Sequence, residues 1–340
     1  MFFPWPQTGV PPLDGARLRA SPDDFVVEEV MHFPLGGNGE HVWLWVEKRG
    51  HNTDQVARML ARHCNVPNSS VRFGGLKDRN AVTRQYFSVH LLRGEIPEPG
   101  EVAAGISILY ATRHSRSLKR GTVSANRFKL VLRDCVGNRD AVDERIGIIG
   151  RDGVPNYFGP QRFGHGGENI KRAKAMFSGE RVRDRHLRGI YLSAARSFLF
   201  NEVVAERIRK YCWNQPLAGD AFVLSGTNSF FVPDMIDDEI HERLAQRDIH
   251  LSGPLWGRGA TIVRDDVAML EQAVVDANLD LANGMVAADL RQERRALRVI
   301  PLNLTHKWQD MSTLELTFEL PGGCYATAVT AELVRETNEV

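Results

Sequence analysis

The sequence predicts an α+β protein whose first domain is discontinuous. Three observations carry that prediction. Short strand patterns fill roughly the first 150 residues, helical periodicity takes over from about residue 153, and strand alternation returns after residue 301. A lone terminal strand cannot satisfy its own backbone, so the last piece is expected to rejoin the first sheet. The boundaries are therefore 1–152 plus 301–340 for the first domain and 153–300 for an insertion.

The first strand is expected in DFVVEEV (24–30) and the next in HVWLWVEK (41–48), where Val42, Leu44 and Val46 oppose Trp43 and Trp45 with period two. Bulk on both faces predicts a strand covered on both sides. NTDQVARMLARHC then offers Asn52 or Thr53 as a cap, with Val56, Met59, Leu60 and Cys64 at helical spacing. Strands follow around 71–75 and 85–92, EIPEPG (95–100) breaks regular structure, and FKLVLRD (128–134) is a further strand before a helix capped by Asn138 and running through Ile149. In the insertion, SAARSFLFNEVVAERIRKYC predicts a helix capped by Ser193, with Phe200, Val204, Ile208 and Tyr211 as its stripe. LELTFEL puts Leu314, Leu316, Phe318 and Leu320 on one face, ahead of a PGG turn and a helix from about Thr327.

Composition is that of an ordinary globular chain, 43% hydrophobic and 25% charged, which excludes disordered, collagen-like and disulfide-scaffold classes. Cys64, Cys135, Cys212 and Cys324 lie too far apart for a metal knuckle, and the eleven histidines form no H-E-x-x-H, so no metal is expected. The N-terminus lacks the basic and apolar regions of a signal peptide and no run of eighteen apolar residues occurs, so a cytoplasmic, membrane-free protein is expected.

A net charge of +1 argues against binding nucleic acid by gross charge, but local charge reverses the argument. From Val102 to Arg133 there is no acidic residue, whereas Arg113, Arg116, Lys119, Arg120, Arg127, Lys129 and Arg133 supply seven cations. Arg162 to Arg188 holds eight Lys or Arg against three acids, and 265–293 holds seven acids and one Arg. Phosphates are the natural partner of such runs, although a single run is equally well a solvated face.

The most unusual segment is GGLKDRNAVTRQYF (74–87). It presents Asp78 between Lys77 and Arg79 after a glycine pair and before a strand. Flanking cations favour an ionised carboxylate, which suits a nucleophile or general base, while the plain alternative is a solvated surface turn. GGNG (36–39) and GHGG (164–167) match no phosphate-loop pattern and read as turns, and Ser193 and Ser197 lack a nucleophile-elbow context. Phe128 heads a strand with Leu130 and Leu132 on its side, so core packing is its default reading, with base stacking kept open by Asn126 and Arg127.

Taken together, SPDDFVVEE (21–29), GGLKDRNAVTRQ (74–85), SANRF (124–128), VPNYFGPQRFG (154–164), SAARSFLFN (193–201) and LPGGCYATAV (320–329) resemble the TruD family of tRNA pseudouridine synthases, in the family's order and over nearly the whole chain. The resemblance implies a pseudouridine synthase catalytic domain with a mixed, mainly antiparallel sheet, interrupted by a TruD-type α/β insertion domain, the two forming a cleft for tRNA. It implies isomerisation of a uridine in the D-arm, position 13 in bacterial members, with neither a metal nor an organic cofactor; a monomer acting on tRNA is expected. The family's essential aspartate falls on Asp78, its basic neighbour on Lys77, and its N-x-F motif on Asn126 and Phe128. Phe25 and Tyr325 fall on aromatic positions of the first and last motifs. Arg113, Arg116, Lys119 and Arg120 are the expected contacts to the RNA backbone.

Such a reaction breaks the C1′–N1 bond, turns the uracil and joins its C5 to C1′, so the base must first leave its stack. Phe128 and Asn126 would hold it by stacking and edge hydrogen bonds. Asp78 could attack C1′, add to C6 or abstract the C2′ proton. Two other readings remain: a catalytically silent RNA-binding protein or chaperone, and a glycoside hydrolase pairing Asp78 with Glu28 or Glu29.

Overall fold

The computed structural model describes residues 5–119 and 121–339. Contacts divide the chain into a sheet unit, Pro12–Ile146 with Pro301–Gly323 and Leu333–Val340, and a helical unit, Met1–Pro11 with Gly147–Ile300 and Cys324–Glu332. Relative to the sequence boundaries, 5–11, 147–152 and 324–332 fall in the helical unit. The reason is packing: the Trp5 ring stacks on Tyr157 with centroids 5.7 Å apart, Thr8 Oγ1 donates to Glu332 at 2.7 Å, and Tyr325 packs edge-on to Phe158.

Among the described residues, the sheet unit holds one eleven-stranded mixed sheet. Its main path runs Leu302–Trp308, Leu314–Pro321, Ala125–Gly137, Phe25–Val30, Val82–His90, His41–Lys48, Ile106–His114 and Gly100–Ala103. The fold class is the predicted α+β with a mainly antiparallel sheet; Phe25–Val30 with Val82–His90 and Leu13–Leu18 with Val334–Glu339 pair parallel. LELTFEL rejoins this sheet as expected, with Leu314, Leu316, Phe318 and Leu320 fully buried. Five strands of this sheet were not legible in the sequence, Leu13–Leu18, Gly100–Ala103, Ile106–His114, Leu302–Trp308 and Val334–Glu339, because each interleaves polar residues or lies at an edge where alternation carries little apolar contrast. HVWLWVEK is buried less evenly than expected: Trp43 is sealed, while Trp45 is only half-buried against Tyr86.

The long strand Ala125–Gly137 organises the site. Its first half pairs with Phe25–Val30 and its second half with Leu13–Leu18, so the chain must turn between those two strands. It does so through Arg19, whose φ of 62° is a left-handed conformation rare for side-chain-bearing residues, and a 3-10 turn at Pro22–Asp24. On the same face of the sheet, Val42, Leu44, Val46 and Phe87 pack against Val56 and Leu60 of helix Thr53–His63. Asn52 closes a capping box on that helix with Gln55.

In the helical unit, helix Arg185–Arg209 packs on Glu168–Phe177, Asp265–Asp276 and Leu279–Ala287 and on a four-stranded sheet that includes Phe222–Leu224, Ile249–Leu255 and Glu293–Ala296. This helix corrects the sequence reading. It starts eight residues before Ser193, because Asp184 is the cap and accepts from His186 N and Leu187 N. Ser193 is therefore mid-helix, and Tyr211 lies past the helix end, 88% exposed, outside the stripe of Phe200, Val204 and Ile208. No helix among the described residues is long and apolar enough to cross a membrane.

Candidate active site

Asp78 sits in the loop that enters strand Val82–His90, and the sheet together with the start of helix Thr53–His63 grips this loop at successive points. Gln85 Nε2 donates to Gly75 O at 3.3 Å, the Thr53 hydroxyl accepts from Lys77 N at 2.9 Å and donates to Gln85, and Lys48 Nζ donates to Asp78 O at 2.6 Å. Gly74 approaches Val123 so closely that a Cβ would lie 2.7 Å from a Val123 methyl, which explains a glycine there. The loop is thus held by its main chain, leaving its side chains to face outward or across.

The Asp78 carboxylate is 21% exposed. Its Oδ2 accepts from Arg19 Nη1 at 2.9 Å and its Oδ1 from Asn80 N at 3.0 Å. The Arg19 guanidinium in turn lies 4.0 Å over the Phe25 ring, so the left-handed bend at Arg19 carries a cation from the aromatic floor to the carboxylate. Phe25 meets Phe128 edge-on at 6.3 Å, and Phe128 stacks on Phe318 at 5.5 Å. These rings form a floor, and Asn126 is two residues along the same strand on the same face. Asn126 Oδ1 is buried and no group of the protein donates to it.

The structure thus brings Asp78, Phe25, Phe128 and Asn126 together within the sheet unit. Lys77 adjoins them, but its ammonium is committed: Nζ donates to Glu29 Oε1 at 2.6 Å, and Glu29, its side chain fully buried, also accepts from Tyr86 N. Phe128 is only 7% exposed, in keeping with its packing role. Tyr325 belongs to the helical unit, where its hydroxyl accepts from Arg162 Nε at 3.1 Å and Arg162 also donates to Ser193 Oγ. There the VPNYFGPQRFG, SAARSFLFN and CYATAV segments converge: the Asn201 amide clamps both main-chain groups of Phe158, and a Cβ on Gly159 would strike Thr327 and Tyr325.

The acid-free basic stretch divides in the fold. Arg127 pairs with Glu319 and Glu28 and Lys129 with Glu315 across neighbouring strands, and Arg133 pairs with Asp24 of the 3-10 turn. Arg113 spends its guanidinium on the carbonyls of Leu91, Gly39 and Gly94. Arg116 and Lys119 are exposed, and Arg120 lies outside the described residues. A run without acids in sequence is therefore not a run without acids in space.

Sequence reasoning missed Arg19 and Lys48 and gave Glu29 a different part. The signal for two of them was present: Lys48 continues the core-facing series Val42, Leu44, Val46, and Glu29 continues Phe25, Val27. A charge at the end of an apolar alternation is a buried charge, and buried charges need a reason.

The chain matches the family model described as tRNA pseudouridine synthase D (TruD) over residues 8–177 and 168–333. A tRNA pseudouridine synthase D of Nitrosococcus oceani is 45% identical over 336 residues, covering 98% of this chain and 94% of that protein. One of Hydrogenovibrio crunogenus is 42% identical over 324 residues, covering 95% and 93%. A crystal structure described as a putative tRNA pseudouridine synthase D from Methanosarcina mazei shares the fold, with a TM-score of 0.72 at 18% identity over 98% of this chain and 96% of that one.

Proposed function

Because the chain belongs to the tRNA pseudouridine synthase D family, we propose that it isomerises a D-arm uridine of tRNA, position 13, with Asp78 as the essential carboxylate. The observation that carries the assignment is local. A partly exposed aspartate, hydrogen-bonded to Arg19, stands by an aromatic floor next to an unsatisfied Asn126 amide oxygen. In this reading the sheet unit is the catalytic domain and 153–300 the insertion domain. The enzyme acts as a monomer in the cytoplasm.

The chemistry follows from what the residues offer. The extruded uracil lies against the Phe25–Phe128 floor, and Asn126 Oδ1 accepts from an N–H of its edge, which satisfies the orphaned acceptor. Asp78 meets the ribose, either at C1′ as nucleophile or at the C2′ proton as base, or it adds to C6 of the base. Arg19 keeps the carboxylate in the anionic form that each route requires. The isomerisation moves no net electrons and adds no water, so it calls for no redox cofactor. Exposed Arg116 and Lys119 are assigned to RNA phosphates.

A hydrolase would need a second carboxylate beside Asp78. Glu29 instead is buried under Lys77, and Glu28 is paired with Arg84 and Arg127. Pseudouridine mapping of one tRNA transcript after incubation with the wild-type chain and with Asp78→Asn tests the proposal. Pseudouridine in the D-arm from the wild type alone is the expected result. Release of free uracil, or a variant retaining more than about a tenth of the wild-type rate, a loss below the weakest general-base effect, overturns it.

A further inference from the structure

Strand His41–Lys48 turns Val42, Leu44 and Val46 into the core and then puts Lys48 in the next core-facing position, with none of its surface exposed. Its register partners Thr83 and Ile106 are equally sealed. The ammonium donates to His51 O at 2.9 Å and Asp78 O at 2.6 Å and reaches Lys77 O at 3.5 Å. Those three carbonyls belong to the start of the helical segment after the strand and to the Asp78 loop, so one side chain ties the loop to the sheet.

A methionine or leucine would continue the apolar alternation at this position without desolvating a charge, but it would leave the His51 and Asp78 carbonyls without their donor. The buried charge is thus spent on the main chain that carries Asp78. We propose that Lys48 is a positioning residue for the isomerisation, its ammonium fixing the main chain of Asp78 and setting a positive charge behind the carboxylate. The inference rests on the assignment of Asp78 made above.

Burial pushes the Lys48 ammonium down to about 8, the charge of Asp78 opposing that fall and that of Lys77 adding to it. The other charged groups of this neighbourhood have partners of their own. Arg19 is bonded to Asp78, Lys77 to Glu29, and the His51 ring contacts Ala104 O. Above about pH 8 the neutral amine has two N–H groups for three carbonyls and no charge to offer Asp78.

The test uses the full-length wild type and Lys48→Met on one tRNA transcript, measuring single-turnover rate from pH 6.5 to 9.5, tRNA Kd and melting temperature. The variant is expected to react about 10²-fold more slowly, the scale of a small misplacement of a reacting group, with Kd essentially unchanged. The wild-type rate should fall above about pH 8, and that limb should be missing in the variant. A variant within about threefold of wild type, or the same limb in both proteins, overturns the proposal. Where Lys48→Met does not fold, the wild-type profile decides: a limb centred near 8 supports the role and a level rate to pH 9.5 overturns it. A wild-type chain that isomerises no uridine is a distinct result, which overturns the proposed function itself and this inference with it.

Discussion

Asp78 and Asp220 each face one arginine, in different units and to different ends. Asp220 and Arg207 are both essentially unexposed, joined by two parallel bonds of 2.7 and 2.8 Å, and the Asp220 carboxylate also accepts from Leu217 N. Glu271 and Arg294 repeat that arrangement nearby. Asp78 shares a 2.9 Å bond with Arg19 and keeps a fifth of its side chain exposed. The ion pair as such marks neither role. What differs is whether the fold seals the pair on all sides or leaves one edge open where a ligand can reach it.

That contrast predicts opposite outcomes for the same chemical change. Asp78→Asn should lower the isomerisation rate by about 10² to 10⁴ or more, while the melting temperature and tRNA Kd hardly move, because the loop is held by main-chain bonds that the substitution leaves in place. Asp220→Asn should do the reverse. It leaves the Arg207 guanidinium buried without its counter-charge, a loss of about 3–5 kcal/mol in stability by urea unfolding, with normal activity in the fraction that stays folded. If Asp220→Asn proves inactive yet stable, exposure is not what separates the two aspartates.

Phe128 lies between these extremes, since it is 7% exposed but adjoins the unsatisfied Asn126 acceptor. Phe128→Leu keeps most of the volume and loses the edge contact with Phe25 and the stack on Phe318, so about 1–2 kcal/mol of stability should go. As a wall of the uracil pocket the ring should also contribute to catalysis, and kcat/KM should drop about tenfold in the folded variant. Unchanged kcat/KM alongside a lowered melting temperature would leave Phe128 a core residue only.

Much of this was legible because the residues obey strong local rules. Period two in HVWLWVEK and LELTFEL located two strands of the sheet, and the Asn52 and Asn138 caps fixed two helix starts. The helix at Ser193 was misplaced at its start because Asp184 precedes a polar, arginine-rich first turn with no apolar period to announce it. Arg19 was invisible for another reason: its part in the site depends on a left-handed bend and on a loop 59 residues away. The pairing within the basic stretch was invisible too, since Glu319 and Glu315 come to Arg127 and Lys129 only by strand register and Asp24 reaches Arg133 from a 3-10 turn. Local rules find elements; the charges that matter are decided by which strands become neighbours.

The smallest expected effect tests the same division between charges the fold consumes and charges it leaves open. Arg116 and Lys119 are exposed, whereas Arg127 and Lys129 are matched by carboxylates on adjoining strands. Each phosphate contact contributes about 0.7–0.9 to the slope of log K for tRNA against log salt, through counterion release. Replacing Arg116 and Lys119 together by alanine should therefore flatten the slope by about 1.5. Replacing Arg127 and Lys129 should leave it unchanged, because a cation already paired with a carboxylate has little counterion to displace on meeting a phosphate. Filter binding between about 50 and 200 mM salt reads both slopes on one transcript. Equal flattening in the two double variants would mean that tRNA breaks the cross-strand pairs on binding, and the open-edge distinction would then hold for Asp78 but not for the cations.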